Sequence, residues 1–130
     1  MQIMNKPKTI RVLVADPSPA GVEGIISFLE TQGETKVVAT ALNCVEMLRK
    51  AKAARPDLII TNISTGDAEG AECVSQLRAL LPKVRIIVFT VFEFLMTRVL
   101  FLEAGADSVI QGDYLPKRLT FEIRRLFPEE

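Results

Sequence analysis

The 130-residue sequence contains no histidine, and its 16 basic residues are balanced by 16 acidic ones. The absence of histidine removes the commonest general base and the commonest metal ligand of proteins. The charge balance leaves no basic excess, so we expect no nucleic-acid binding by this chain. A G-x-G-x-x-G turn and a P-loop lysine are also missing, which argues against nucleotide binding. Because paired carboxylates are lacking as well, we expect that the chain is not an enzyme.

Long apolar runs are absent too, and none approaches the roughly 20 residues of a membrane-spanning helix. The first residues carry Lys6 and Lys8 without the apolar stretch of a signal peptide. We therefore expect a cytoplasmic protein with no membrane partner. The two cysteines, Cys44 and Cys73, are far apart in segments with helical periodicity. We expect reduced core or half-buried thiols rather than a disulfide or a metal pair.

The length fits one domain, with residues 1–8 as a flexible arm and residues 9–130 as the folded part. Short, continuous apolar runs predict strands that are covered on both faces, and apolar residues at helical spacing predict the helices between them. The predicted strands span residues 10–15, 36–41, 58–62, 84–89 and 107–110. The predicted helices span residues 19–32, 43–55, 70–81, 92–104 and 115–127.

This alternation indicates successive βα units and a parallel sheet between two layers of helices. Right-handed crossovers at this size favour the flavodoxin-like strand order 2-1-3-4-5. That order brings together the carboxyl ends of the first and third strands, where Asp16 and Asn62 follow. Thr90 and the turn at 111–113 should lie nearby. An aspartate at position 62 would be a nucleophile or a metal ligand, but an asparagine is neither.

Several short stretches resemble receiver domains of bacterial response regulators. They are Val14-Ala15-Asp16, the run from Pro56 to Asn62, Thr90 after its strand, and Glu103-Ala104-Gly105-Ala106-Asp107. The resemblance covers about residues 9–127 and is strongest to receivers that precede helix-turn-helix output domains. It implies a function in two-component, or phosphorelay, signal transduction.

The resemblance also implies which positions would carry the chemistry. Receivers have two adjacent acidic residues after the first strand, which hold Mg²⁺, and here these positions are Asp16 and Pro17. The phospho-accepting aspartate falls at Asn62, and the hydroxyl residue that senses the phosphoryl group is Thr90. The lysine after the fifth strand falls at Gly112. Three of these five positions therefore lack the expected side chain.

The aromatic switch residue of the fifth strand is also replaced, by Val109. Aspartyl phosphorylation needs a carboxylate nucleophile, and the amide of Asn62 cannot form an acyl phosphate. Magnesium prefers carboxylate and phosphate oxygens, so the single carboxylate of Asp16 predicts weak or absent Mg²⁺ binding and no other cofactor. A lost lysine removes the charge that would pair with a phosphoryl oxygen. The resemblance and this chemistry together predict an atypical pseudo-receiver.

Three interpretations of the crevice remain open. In the first, the residues at the former phosphorylation site form an ordinary polar loop surface, which is stable without metal because fewer carboxylates repel each other. Alternatively, it is a pocket for a small ligand or a partner loop, formed by Asp16, Asn62, Ser64, Thr90 and Gly112. In the third, Asp16 bonds to Thr90 or Asn62 and locks one of the two receiver conformations.

The predicted fourth helix is apolar on nearly every side, which a single sheet cannot cover. Helical spacing places Phe94 and Phe101 together, opposite a broad arc formed by Leu102, Leu95, Val99, Phe92, Met96 and Leu100. On the last helix, Phe121 falls between inward positions. We hypothesise that Phe94, Phe101 and Phe121 line a homodimer or partner interface. In the alternative, adjacent loops or the N-terminal arm cover them.

The preferred hypothesis is therefore a signalling module that acts through protein contacts without phosphate, at the face of helix 4, strand 5 and helix 5. An output domain outside this chain is a further candidate partner. The alternative is a phosphorylatable receiver with an off-pattern acceptor, for which Ser64 or Asp67 would have to serve.

Overall fold

The computed structural model describes residues 9–63, 68–112 and 116–128. The predicted arm at 1–8, the alternative acceptors Ser64 and Asp67, and Asp113 of the predicted turn lie outside these residues. Within the described ranges, no helix is both long and apolar enough to span a membrane.

Five parallel strands alternate with five helices, and the sheet has the predicted order β2-β1-β3-β4-β5. The strands are β1 (Ile10–Ala15), β2 (Thr35–Ala41), β3 (Leu58–Asn62), β4 (Arg85–Thr90) and β5 (Ser108–Gln111). The helices are α1 (Pro19–Glu30), α2 (Cys44–Ala54), α3 (Ala68–Leu80), α4 (Leu95–Ala104) and α5 (Pro116–Leu126). The flavodoxin-like prediction is confirmed.

The core divides into two clusters, one on each face of the sheet. Alternate residues of a strand point to opposite faces, so Leu13 and Ile59 belong to one cluster while Val12 and Ile60 belong to the other. Helices α2, α3 and α4 cover the first cluster, and α1 and α5 cover the second. Because both faces are covered, the central strands are continuous apolar runs.

Helix α4 presents the opposite face to the sheet from the one predicted. Phe101 is 0% exposed and Thr97 is buried with it, whereas Leu95 and Met96 are 74% and 64% exposed. The expected surface position of Phe101 is therefore wrong. Phe94 is 70% exposed, as expected, but it precedes the helix as an extended N-cap residue and does not share a helical face with Phe101.

Polar contacts with two residues of β5 explain this orientation of α4. The guanidinium of Arg98 donates to the carbonyl of Val109 at 2.8 Å, which fixes the rotation of the helix. The amide of Gln111 donates to the carbonyls of Phe92 and Phe94, at 3.0 and 2.9 Å. These bonds hold residues 92–94 in a non-helical conformation, so α4 begins at Leu95 rather than at 92.

Cys44 and Cys73 form a disulfide, so the expectation of two reduced thiols is wrong. Their Cα atoms are 6.1 Å apart, although 29 positions separate them in sequence. They meet because α2 and α3 pack side by side on one face of the sheet. Periodicity along the chain predicts the two helices but carries no information about their lateral spacing.

Candidate functional site

Asp16 and Asn62 lie in contact at the carboxyl ends of β1 and β3. Strands β1 and β3 are paired up to Ala15 and Thr61, so the residue that follows each of these positions enters the same crevice. The Asn62 side-chain amide donates to Oδ2 of Asp16 at 2.9 Å. The predicted meeting of these residues is confirmed, and their hydrogen bond is the one considered in the third interpretation of the crevice.

The second oxygen of the Asp16 carboxylate is also engaged. The Ser18 backbone N–H donates to Oδ1 of Asp16 at 2.8 Å, across Pro17. Ser18 then caps α1, with its hydroxyl accepting from the N–H of Gly21 at 3.3 Å. Asp16 is 7% exposed, and its carboxylate lies beside the first turn of α1, where the helix dipole favours negative charge. Both oxygens thus accept hydrogen bonds from protein N–H groups.

Gly21 allows this close approach between Asp16 and α1. A Cβ at position 21 would lie 2.5 Å from the Asp16 carboxyl carbon, whereas one at Gly24 would meet nothing within 4 Å. Sequence inspection missed this constraint, although a glycine in the first turn of a helix was the available signal.

We expect Gly21→Ala to destabilise the domain by about 1 kcal/mol, because overpacking displaces Asp16 and outweighs the gain in helix propensity. Gly24→Ala, three residues along the same helix, should instead stabilise it by about 0.5–1 kcal/mol. Urea unfolding of the two variants checks this pair. Equal stabilisation by both would show that Asp16 does not depend on contact with α1.

Thr90 and Gly112 close the other side of the crevice. Thr90 is buried, its hydroxyl accepts from the Phe92 N–H at 3.2 Å, and its carbonyl accepts from the Gly112 N–H at 2.8 Å. Gly112 has a φ of +84°, and a Cβ there would lie 3.2 Å from the carboxyl carbon of Glu93. Gly112, the position where the resemblance implies a lysine, thus has a backbone conformation that disfavours any side chain. The neighbouring carboxylate of Glu93 was not expected from the sequence.

Two surface clefts flank the Asp16–Asn62 pair. The first has a volume of about 530 Å³ and extends between α2 and α3, past Met47, Ile63 and both cysteines. The second has a volume of about 320 Å³ and is lined by ten residues: Asp16, Gly21, Gly24, Ile25, Asn62, Phe89, Thr90, Val91, Ile110 and Gly112. Asp16 is the one carboxylate among these ten. Across the parts of the chain that the structure describes, no three or more His, Cys, Asp or Glu side chains are grouped to hold a metal ion.

A group of exposed apolar side chains lies at the amino end of α4. We call Val91, Phe94, Leu95 and Met96 the α4 patch; each is at least 64% exposed. On α5, Phe121 is 65% exposed, which agrees with its predicted outward position. Leu95 and Met96 were expected to face the sheet, so sequence inspection missed them as surface residues.

Comparisons with known proteins agree with this architecture. Residues 12–124 match the family model for the response regulator receiver domain. The chain is 31% identical over 119 residues to the response regulator protein VraR of Staphylococcus aureus, a match that covers 90% of this chain and 56% of VraR. It therefore spans about half the length of the curated relatives that it matches.

Solved structures give the same result for the fold. The signal receiver domain of the putative response regulator NarL from Mycobacterium tuberculosis has a TM-score of 0.82 and 22% identity, covering 95% of this chain and all of that one. A CheY-like response regulator receiver domain protein from Methanospirillum hungatei JF-1 has a TM-score of 0.77 and 28% identity, covering 90% of this chain and 92% of its own.

Proposed function

Because this chain belongs to the response regulator receiver domain family, we propose that it is a pseudo-receiver that signals through protein contacts without being phosphorylated. One observation carries the proposal, namely the hydrogen bond from Asn62 to Asp16. The amide of Asn62 stands where the family has the acceptor carboxylate, and its N–H donates a hydrogen bond to the carboxylate of Asp16. The crevice is thus complete without a phosphoryl group.

The chemistry of the neighbouring positions supports this proposal. Asn62 has no carboxylate to attack a phosphodonor, and Pro17 has no side-chain oxygen for a cation. The residues present do not fit a magnesium site, because protein N–H groups already engage both oxygens of Asp16. Gly112 supplies no cation to neutralise a phosphoryl oxygen. We assign no enzymatic step to the domain.

We expect no phosphoryl adduct when the protein is incubated with acetyl phosphate and Mg²⁺ and then measured by intact mass. A receiver that retains its acceptor aspartate, treated in the same mixture, is the positive control and should be modified. An adduct on this chain, located by peptide mass to Ser64 or Asp67, would instead establish the off-pattern acceptor. An adduct at any other aspartate would equally overturn the proposal.

The contact surface that we propose is the α4 patch, with Phe121 on the same α4–β5–α5 side as a further candidate. Phe94, Leu95 and Met96 are consecutive and Val91 lies three residues before them, and an exposed apolar patch usually marks an interaction site. Gln111 holds the backbone of Phe94, which limits the ordering cost of binding. The partner that we propose is a second copy of the domain. We also propose that the protein acts in the cytoplasm. This assignment replaces the Phe94–Phe101 pair, because Phe101 is buried.

We expect Leu95→Asp/Met96→Asp to weaken self-association at least roughly ten-fold, because two carboxylates would be desolvated at the contact. Both side chains point outward, so the thermal stability of the monomer should change little. Sedimentation velocity over a concentration series measures the effect, with Glu103→Gln on an exposed position of the same helix as the matched control. A wild type that is monomeric at every concentration would exclude the homodimer.

A further inference from the structure

The Cys44–Cys73 disulfide lies in the wall of the larger cleft, next to the Asp16–Asn62 pair. Both cysteines line this cleft together with Asp16 and Asn62. We propose that Cys44 and Cys73 form a reversible redox site, reduced by a dithiol, and that the bond controls how firmly α2 and α3 close the cleft beside Asn62. This proposal rests on the proposed function in one respect only: it supplies a signal other than phosphorylation to which the domain could respond.

The bond is open to a reductant and is not required to build the core. Cys73 is 7% exposed and packs with Ile63 and Met47, but Cys44 is only partly buried and borders the open cleft. The two core clusters extend over the whole sheet, and a domain of more than 100 residues folds without a covalent staple. A disulfide that a thiol can reach is the labile, regulatory kind.

Reduction of this disulfide by thiol–disulfide exchange needs a dithiol as its only co-reactant. A thiolate of the reductant attacks Sγ of Cys44, the less buried of the two cysteines, so that a mixed disulfide forms and Cys73 leaves as a thiolate. The second thiol of the reductant then attacks the mixed disulfide and releases Cys44. Cys44 is the first residue of α2, where the helix dipole favours its departure as an anion.

In the net reaction, the protein disulfide gains two electrons and the two protons of the dithiol, which becomes a disulfide. Oxidised glutathione reverses the reaction by two successive exchanges and is itself converted to two thiols. Both directions therefore need only thiols and disulfides.

The attachment of α3 explains why the cleft would respond to this change. Towards its carboxyl end, Arg78 donates to the Gly105 carbonyl and to Asp107, both at 2.8 Å, which ties that half of the helix to the end of α4 and the start of β5. The disulfide ties the preceding half to α2. Breaking the bond therefore removes the covalent tie from the half of α3 that follows Asn62 in the chain, so that this half is held less firmly, while Arg78 keeps the other half in place.

The start of α2 stays fixed in either state. Asn43 accepts from the Glu46 N–H at 2.8 Å, and the Glu46 carboxylate accepts from the Leu42 N–H at 2.7 Å. This reciprocal capping does not involve the cysteines. The change that follows reduction should therefore be confined to the first half of α3 and the residues beside it.

The test combines thiol labelling with hydrogen exchange on the wild-type protein. Oxidised protein is treated with dithiothreitol in native buffer, alkylated with iodoacetamide and measured by intact mass. We expect both cysteines to be labelled, at a rate within roughly ten-fold of the rate in urea-unfolded protein. Amide exchange in the first half of α3 and at Asn62–Ile63 should accelerate at least roughly ten-fold on reduction, whereas α5 should not change.

The Cys44→Ser/Cys73→Ala variant is the matched control and should show the exchange pattern of the reduced protein with or without dithiothreitol. Reduction that occurs only when the chain unfolds would overturn the proposal, as would identical exchange in the oxidised and reduced proteins. Failure to form the bond again with oxidised glutathione would overturn it too. None of these results bears on acetyl phosphate labelling, so the two proposals fail separately.

Discussion

Phe101→Ala should lower the free energy of unfolding by about 3–5 kcal/mol, because it removes a fully buried aromatic ring. Phe101 belongs to the core cluster on the α2, α3 and α4 face, together with Val88 and Val109. The ring fills the space between α4 and the sheet, and neighbouring side chains cannot collapse fully into the cavity. Urea unfolding monitored by circular dichroism measures the loss.

Phe94→Ala is the control with the same chemical change, seven residues earlier. The Phe94 ring is 70% exposed, so we expect its removal to change stability by less than about 0.5 kcal/mol. A comparable loss in both variants would mean that both rings are buried. A loss below about 0.5 kcal/mol in both variants would restore the helix orientation that periodicity predicted, in which both rings face outward.

Asn62→Asp should destabilise the domain by roughly 2–3 kcal/mol at pH 7, because it replaces a hydrogen bond with two carboxylates in contact. Asp16 is buried, so water screens little of this repulsion. Protonation of one carboxylate relieves it, so the loss should shrink as the pH falls from 7 towards 4 and grow as the pH rises again. Thermal unfolding of both proteins across this range measures the difference.

The exchanged variant Asp16→Asn/Asn62→Asp provides the control for charge. It restores one amide and one carboxylate in the crevice. The new amide at position 16 can accept from the Ser18 N–H through its oxygen and donate through its nitrogen to the new carboxylate at position 62. We expect this variant to recover most of the lost stability at pH 7. If it is as unstable as Asn62→Asp alone, the loss does not arise from paired carboxylates.

The strand order and the crevice could both be predicted from the chain. Leu58-Ile59-Ile60 is apolar without alternation because both faces of β3 are covered, and the regular spacing of such runs leaves few topologies. Strand order alone then places Asp16 beside Asn62, since parallel strands end at the same edge. The expectation that phosphorylation chemistry is missing rests on the residue types at Asn62, Pro17 and Gly112, positions that the resemblance to receiver domains identifies.

The face of α4 and the pairing of the cysteines could not be predicted in this way. A helix that is apolar on nearly every side has no periodicity to select the buried face, and the contact of Arg98 with Val109 helps to select it. The disulfide depends on the distance between α2 and α3, which side-chain packing sets. Local pattern and strand topology therefore determine the fold and the crevice. Contacts between distant residues determine which surface of α4 is exposed and which sulfurs meet.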